Sequence, residues 1–248
     1  MKEKGNIFFA SDFHLGLKAG KDPVEREKLV VRWLSAVAPE AREIYLVGDI
    51  FDFWWEYRKV VPRGFTRFLG VISSITDSGI PVHFFTGNHD MWVKDYLSSE
   101  CGMLVHTSPL TCTIDGRKFH IAHGEGLGSR NKAYHLLLWI FRNKPLRVLY
   151  SMLHPWIGIG IGQEWSQHSR LAKGITQDFM GEDREDLLRY SREVIKKDVI
   201  DYFVFGHRHL SMTFNNGSNG RIIFLGDWFS RGSYAEWDGI DLNLKSFN

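Results

Sequence analysis

Five times along this chain a short apolar run stops at a cluster of Asp, His or Asn with a small residue beside it. Asn6–Ala10 is followed by Ser11-Asp12-Phe-His14, and Glu43–Val47 by Gly48-Asp49-Ile-Phe-Asp52. Pro81–Thr86 leads to Gly87-Asn88-His89-Asp90, Lys118–Ala122 to His123-Gly124, and Tyr202–Phe205 to Gly206-His207-Arg-His209. Apolar runs of this length read as buried strands. Loops at the carboxyl ends of neighbouring strands are aimed at a common point. The pattern therefore asks for a sheet-based fold that gathers five distant loops at one edge.

The intervening sequence fits that demand. Residues 22–37 show helical spacing at Val24, Leu29, Val30, Trp33, Leu34 and Val37, with Asp22 as N-cap and Pro23 at the first helical position. A second helix is expected from about Pro62 to Asp77. Strand, polar loop and helix alternate, as in an α/β layer fold. After Met103 the texture changes to short strands around Leu104–His106, Leu110–Ile114 and Lys118–Ala122, and later Tyr202–Phe205, Ser211–Asn215 and Arg221–Leu225. Turn residues such as Asp115-Gly116 and the stretch 216–220 separate them, which predicts antiparallel pairing and gives the α/β class an α+β tendency. The expected architecture is a central mixed sheet or a two-sheet sandwich with helices outside.

Residues 126–180 stand apart. They hold seven basic residues against two acidic ones, while the whole chain of 248 residues carries a net charge of only +2. Aromatic and aliphatic residues interleave with the basic ones, as in Leu136-Leu-Leu-Trp-Ile-Phe141. This contrast predicts a helical cap inserted into one domain that otherwise spans 1–248. Gly158, Gly160 and Gly162 read as a flexible link between cap helices. More apolar surface lies here than such an appendage can bury, so acyl chains and an anionic membrane surface are expected contacts. No protein partner is indicated. Nucleic acid is not expected, because the overall charge is nearly balanced and the basic residues sit in aliphatic bulk. Cys101 and Cys112 lack metal-knuckle spacing and read as reduced core residues. The N-terminal stretch has no secretory pattern, and no apolar run reaches the roughly 20 residues of a membrane span. A cytoplasmic protein, peripheral on the inner face of the membrane, is expected.

Carboxylate, imidazole and amide oxygen suit divalent Mn, Fe or Zn, and the lack of thiolate argues against a structural zinc. Residues i and i+2 of an extended strand end point the same way, so Asp12/His14 and His207/His209 can each grip one ion. Taken singly, the motifs have ordinary alternatives: Asp52 as a helix cap, His123 as a satisfied core histidine, Gly-Asp as a turn. Together they predict a pair of cations about 3.5–4 Å apart, a spacing that serves attack of water on phosphorus.

Taken together, the motifs from Asp12 to His209 resemble the calcineurin-like metallophosphoesterase superfamily, a β-sandwich flanked by helices. The resemblance implies that Asp12, His14, Asp49 and His209 hold one metal, and that Asp49, Asn88, His123 and His207 hold the second. His89 takes the place of the catalytic histidine and Asp52 that of the carboxylate orienting it. Asp12-Phe-His14-Leu-Gly, Gly48-Asp-Ile-Phe-Asp-Phe-Trp54 and the basic-aromatic segment further resemble the UDP-2,3-diacylglucosamine diphosphatase family of lipid A biosynthesis. That likeness implies manganese as the usual ion. It also implies a lipid-linked UDP-sugar as substrate, with Asn88, His89, Asn131, Ser166, Arg170 and Lys173 as its contacts. Better-known proteobacterial members have Arg where this chain has His89. Action on another nucleotide, phosphoprotein or lipid phosphate stays open, and a metal-free scaffold is disfavoured by the complete ligand set.

Overall fold

In the computed structural model, residues 5–18, 22–173, 178–217, 220–229 and 232–247 are described; for 168–173 this covers the helical backbone and not the side chains. Strand β1 (Asn6–Ala10) sends Ile7 and Phe9 to one face and Phe8 and Ala10 to the other, and all four are buried. A strand covered on both sides has no polar face to show, which is why the sequence there is a continuous apolar run. β1 pairs in parallel with β2 (Ala41–Val47), β2 with β3 (Val82–Phe85), and β3 with β4 (Leu104–His106). On its other side β1 meets β10 (Ser233–Trp237) antiparallel, and β10 pairs with β11 (Leu242–Ser246) to complete six strands.

The second sheet holds β5 (Leu110–Ile114), β6 (Arg117–Ala122), β7 (Tyr202–Phe205), β9 (Arg221–Leu225) and β8 (Ser211–Asn215), in that order. β6, β7 and β9 are parallel, and the outer two strands are antiparallel to their neighbours. The sheets pack face to face through Phe9, Tyr45 and Val47 on one side and Phe119, Ile121 and Val204 on the other. Phe9 stacks on Tyr45 and Phe119 at 4.9 and 6.0 Å. Helices α1 (Pro23–Val37) and α2 (Thr66–Asp77) cover the outside of the first sheet through Trp33, Leu34, Phe68 and Ile72. Asp22 caps α1 as the sequence predicts, accepting from the Val24 and Glu25 amides. A four-residue helix, α3 (Tyr96–Ser99), follows β3. After β6 come α4 (Lys132–Arg142), α5 (Lys144–Ser151) and α6 (Pro155–Lys173), and α7 (Asp186–Ile195) covers the second sheet through Leu187 and Leu188.

Several expectations need correction. β4 is not part of an antiparallel meander; it is a parallel edge strand of the first sheet. Only β5 and β6 form the expected hairpin there, closed by Asp115 and Gly116, both at positive φ as a tight primed turn demands. β7 runs parallel to β9, and the hairpin is β8–β9. The second helix begins at Thr66 because Gly64 and Phe65 are left-handed, at φ 106° and 62°. Gly158, Gly160 and Gly162 are not a link: they lie inside α6. A Cβ at 158 would sit 2.0 Å from the Tyr57 hydroxyl, and one at 162 would sit 2.1 Å from the Phe53 ring. Gly158 and Gly162 therefore let α6 pack closely on residues 53–57, whereas a Cβ at Gly160 would meet nothing within 4 Å. β10 and β11 escaped the sequence reading, although Asp238-Gly239 between them is a hairpin signal.

Candidate metal centre

The carboxyl ends of β1, β2, β3, β6 and β7 meet at one edge of the sandwich, and the backbone joins their loops directly. The Asp12 amide donates to the Gly48 carbonyl at 3.1 Å, His14 to Asp49 at 3.0 Å, and Gly206 to His123 at 3.0 Å. Among the described residues seven non-glycine positions have positive φ, and five of them are Asp12, His14, Asp49, His207 and His209. Such backbone is costly and persists where the surroundings enforce it. It also corrects the local reasoning from sequence: Asp12/His14 and His207/His209 converge through left-handed turns and not as extended i, i+2 pairs.

The glycine beside each cluster has a steric cause. A Cβ on Gly87 would lie 2.2 Å from Asp49 Oδ1, one on Gly48 2.5 Å from the His123 ring, and one on Gly206 2.7 Å from Asp12 Oδ2. The space a side chain would need is taken by a neighbouring loop's carboxylate or imidazole. Asp90, given no role from sequence, locks two of these loops together. It is fully buried and accepts from the Gly87, Ile50 and Phe51 amides at 2.7, 2.8 and 3.3 Å.

Two groups of donors face each other across Asp49. On one side His14 Nε2 lies 3.6 Å from Asp12 Oδ1 and 3.7 Å from Asp49 Oδ2, with His209 Nε2 3.7 Å from Asp12 Oδ1. On the other, His123 Nε2 lies 3.3 Å from Asp49 Oδ2, and His207 completes a triad with ligand atoms within 4.8 Å of one another. Spacings of 3.3–3.7 Å between donors match the edges of a coordination polyhedron with bonds of about 2.0–2.2 Å. Asp12 Oδ1, Asn88 Oδ1 and His123 Nε2 are buried and make no hydrogen bond among the described residues. For three of these groups the second atom is committed elsewhere: Asp12 Oδ2 to the His207 amide at 3.0 Å, Asp49 Oδ1 to the His89 amide at 2.9 Å, and His123 Nδ1 to the Val47 carbonyl at 2.9 Å. Asp12, Asp49 and His123 thus each keep one donor atom for the centre, as residues of metal sites with a supporting outer shell do. The residues fit a pair of divalent ions.

Their electrostatics agree. Burial pushes Asp12 up to about 7, against the pull of His123. Burial also opposes charge on Asp49, but His123, His89 and His14 together hold it well below the usual carboxylate range. Burial works against a proton on His123, yet the Asp49 carboxylate outweighs it and holds the imidazole well above 6.5. His207 is kept neutral by burial and by the charge on His123. Negative charge from Asp49 thus favours a positive charge at the His123 side of the site, which is what a bound cation would supply.

The sequence pattern of the calcineurin-like phosphoesterases matches residues 5–211. The chain belongs to that family. A protein named UDP-2,3-diacylglucosamine hydrolase from Porphyromonas gingivalis is 39% identical, covering 98% of each chain. Proteins of the same name from Edwardsiella ictaluri and Neisseria meningitidis serogroup B are 26% and 28% identical, covering 95% and 89% of this chain and 90% and 89% of theirs. Among solved structures, a dimetal phosphatase from Danio rerio covers 98% of this chain and 99% of its own, at 12% identity and a TM-score of 0.46. This calcineurin-like phosphoesterase is therefore a metal-dependent hydrolase with a site for two divalent ions.

Beside its metal centre the phosphoesterase has a cavity of about 400 Å³. Asp49, Asn88, His89, His207 and His209 lie at one end; Phe53, Trp55, Trp92, Leu138, Phe141 and Trp165 line much of the rest. His89 Nδ1 lies 2.9 Å from the Asp52 main-chain carbonyl and 4.0 Å from its carboxylate. Asp52 Oδ2 instead accepts from Ser166 Oγ at 2.9 Å, and that hydroxyl is 3.1 Å from His89 Nδ1. Helix α6 thereby reaches into the centre through one buried serine. Asn131 is exposed and caps α4, accepting from the Tyr134 amide at 3.1 Å, and it does not line the cavity. The side chains of Arg170 and Lys173 lie outside the described residues. Arg142 donates to Glu125 at 2.8 Å, which ties α4 to the loop after His123; Arg147 lines the cavity. The outer faces of α4–α6 are unusually greasy: Trp139 is 61% exposed, Leu149 63%, Met152 75% and Trp156 81%. No described helix is long and apolar enough to cross a membrane.

Proposed function

We propose that this hydrolase cleaves the pyrophosphate of UDP-2,3-diacylglucosamine, giving UMP and 2,3-diacylglucosamine 1-phosphate, as a step of lipid A synthesis at the inner face of the cytoplasmic membrane. The observation that carries the reading is the joining of a metal centre to an aromatic-aliphatic cavity, a pairing suited to a substrate with a phosphate at one end and acyl chains at the other. The names of the relatives point the same way. One cation would be held by Asp12, His14, Asp49 and His209, and a second by Asp49, Asn88, His123 and His207. Two cations, manganese being the expected choice, supply an activated water and neutralise phosphoryl charge.

The chain's own groups do the remaining work. The Asp52 carbonyl fixes Nδ1–H of His89, so a second proton on that ring would sit at Nε2, where it can donate to a phosphoryl oxygen. Because the leaving group is itself a phosphate, little help with its departure is needed. Ser166 holds Asp52 and the His89 ring in register, and Arg170 and Lys173, whose side chains lie outside the described residues, are the further phosphate contacts this reading calls for. The helices at about 126–180 act as a cap: their inner faces exclude water and receive acyl chains, and their outer faces rest on the membrane. Exposed Trp side chains suit the lipid–water boundary.

The test is release of UMP from UDP-2,3-diacylglucosamine in mixed micelles with Mn²⁺, compared with cyclic nucleotides and phosphopeptides. The reading predicts a kcat/KM at least a hundredfold higher for the lipid-linked substrate; equal or better turnover of a cyclic nucleotide or phosphopeptide overturns it.

A further inference from the structure

A sixth strand-end loop reaches the metal centre, and none of its described residues is among the candidate ligands. β9 lies beside β7 and ends in Gly226-Asp227-Trp228-Phe229. Trp228 anchors this loop. It is fully buried, with its ring 5.0 Å from Phe13 and 5.1 Å from Trp33, and its amide donates to the Asp12 carbonyl at 3.3 Å. The next amide, that of Phe229, is tied to Asp227 Oδ1 at 2.9 Å. The anchored backbone delivers the Phe229 ring to two imidazoles. Its centroid lies 5.2 Å from His14 and 5.6 Å from His209, at interplanar angles of 20° and 28°, and the imidazoles lie 5.2 Å apart at 17°. Three nearly parallel rings thus form a nearly equilateral triangle. The Arg26 guanidinium, itself fully buried on α1, sits 4.7 Å from the Phe229 centroid and donates to the His14 and Leu17 carbonyls at 3.1 and 3.0 Å.

We infer that Phe229 is a positioning residue for the ion held by Asp12, His14, Asp49 and His209, and that Arg26 fixes Phe229 in turn. The physical need is rotational. The second torsion of a histidine is broad and two-fold, so without a neighbour the ring does not keep its nitrogen on target. His123 is steered through Nδ1 on the Val47 carbonyl. His14 and His209 lie in addition beside a flat apolar ring nearly parallel to both, which restricts the planes they can take. Arg26 adds a cation–π contact to that face and holds the left-handed His14 backbone in place. Among the described ring contacts, Phe229 meets the imidazoles on one side of Asp49, so its loss should be felt mainly by the ion on that side.

The inference rests on the two-cation reading, and metal binding tests the two separately. Phe229→Leu keeps an apolar side chain but loses the planar face, and Phe229→Tyr restores the plane. Each variant and the parent protein are titrated with Co²⁺ alone, followed by calorimetry and by the visible absorption of the bound ion. The parent should take up two ions. Phe229→Leu should bind one ion about 10- to 100-fold more weakly, with an altered absorption band. Its other ion should keep the parent's affinity, and Phe229→Tyr should bind both as the parent does. A role confined to packing would lower the melting temperature while leaving both affinities and the spectrum alone. That outcome overturns the inference, as does equal weakening of both ions. A parent that binds no pair of ions overturns the two-cation reading and this inference with it.

Discussion

Replacing Gly87 by alanine is the smallest change that should disable the centre. The added Cβ would lie 2.2 Å from Asp49 Oδ1, 2.6 Å from the Asp49 nitrogen and 2.9 Å from its Cγ. Non-bonded heavy atoms prefer separations of about 3.5 Å, so something must move by roughly 1 Å. The Gly87 loop is poorly placed to yield. Its amide is bonded to Asp90, and Asp90 is pinned by the Ile50 and Phe51 amides in the loop that carries Asp49. The displacement therefore falls on the Asp49 carboxylate, which the proposed centre shares between both ions. A ligand 1 Å out of place loses a bond of about 2.0–2.2 Å. Affinity for Mn²⁺ should drop by about 10- to 100-fold and kcat by about a hundredfold. Overpacking strain of about 1–3 kcal/mol should accompany this, seen as a lower melting temperature in the metal-free protein. Gly70→Ala is the control, since a Cβ at that exposed position in α2 meets nothing within 4 Å. It should be neutral or slightly stabilising. Steady-state hydrolysis of a chromogenic phosphodiester and Mn²⁺ titration read both variants. A Gly87→Ala protein that binds two ions and turns over like the parent refutes the cradle argument.

Other expectations follow from the same geometry. Filling the site on the His123 side must displace the proton that Asp49 holds on that ring, so below the raised pKa of His123 binding should release about one proton and tighten by up to tenfold per pH unit; calorimetry in buffers of different ionisation enthalpy measures this, and zero release between pH 6 and 7 contradicts it. Replacing Met152 and Trp156 together by Glu puts charge on the most exposed apolar faces of α5–α6 and should weaken association with anionic vesicles at least tenfold, while hydrolysis of a small soluble ester is unchanged; unaltered sedimentation with vesicles removes those helices as the docking surface. Phe9→Ala, in the layer between the sheets, should cost about 3–5 kcal/mol by denaturant unfolding without changing metal stoichiometry; a loss below 1 kcal/mol means the sheets repack.

The meeting of the five loops was legible because strand ends announce themselves: apolar residues stop, a glycine allows close approach, and side chains that rarely sit buried alone appear in sequence. Pairing was less legible. Leu104–His106 has the length and texture of a meander strand, and only the position of β3 shows that it extends the first sheet in parallel. The glycines of α6 read as flexible because Tyr57 and Phe53, which press against them, lie a hundred residues away in sequence. Phe229 gave no signal at all. An aromatic after a strand is common, and its relation to His14 and His209 depends on a Trp anchor, a buried Arg and two left-handed turns.

The most direct measurement is a crystal structure of the protein grown with Mn²⁺, with anomalous scattering recorded at the manganese edge. Two peaks should appear about 3.5–4 Å apart, one touching Asp12, His14 and His209, the other Asn88, His123 and His207, with the Asp49 carboxylate between them. A single peak, or two that do not share Asp49, would contradict the account.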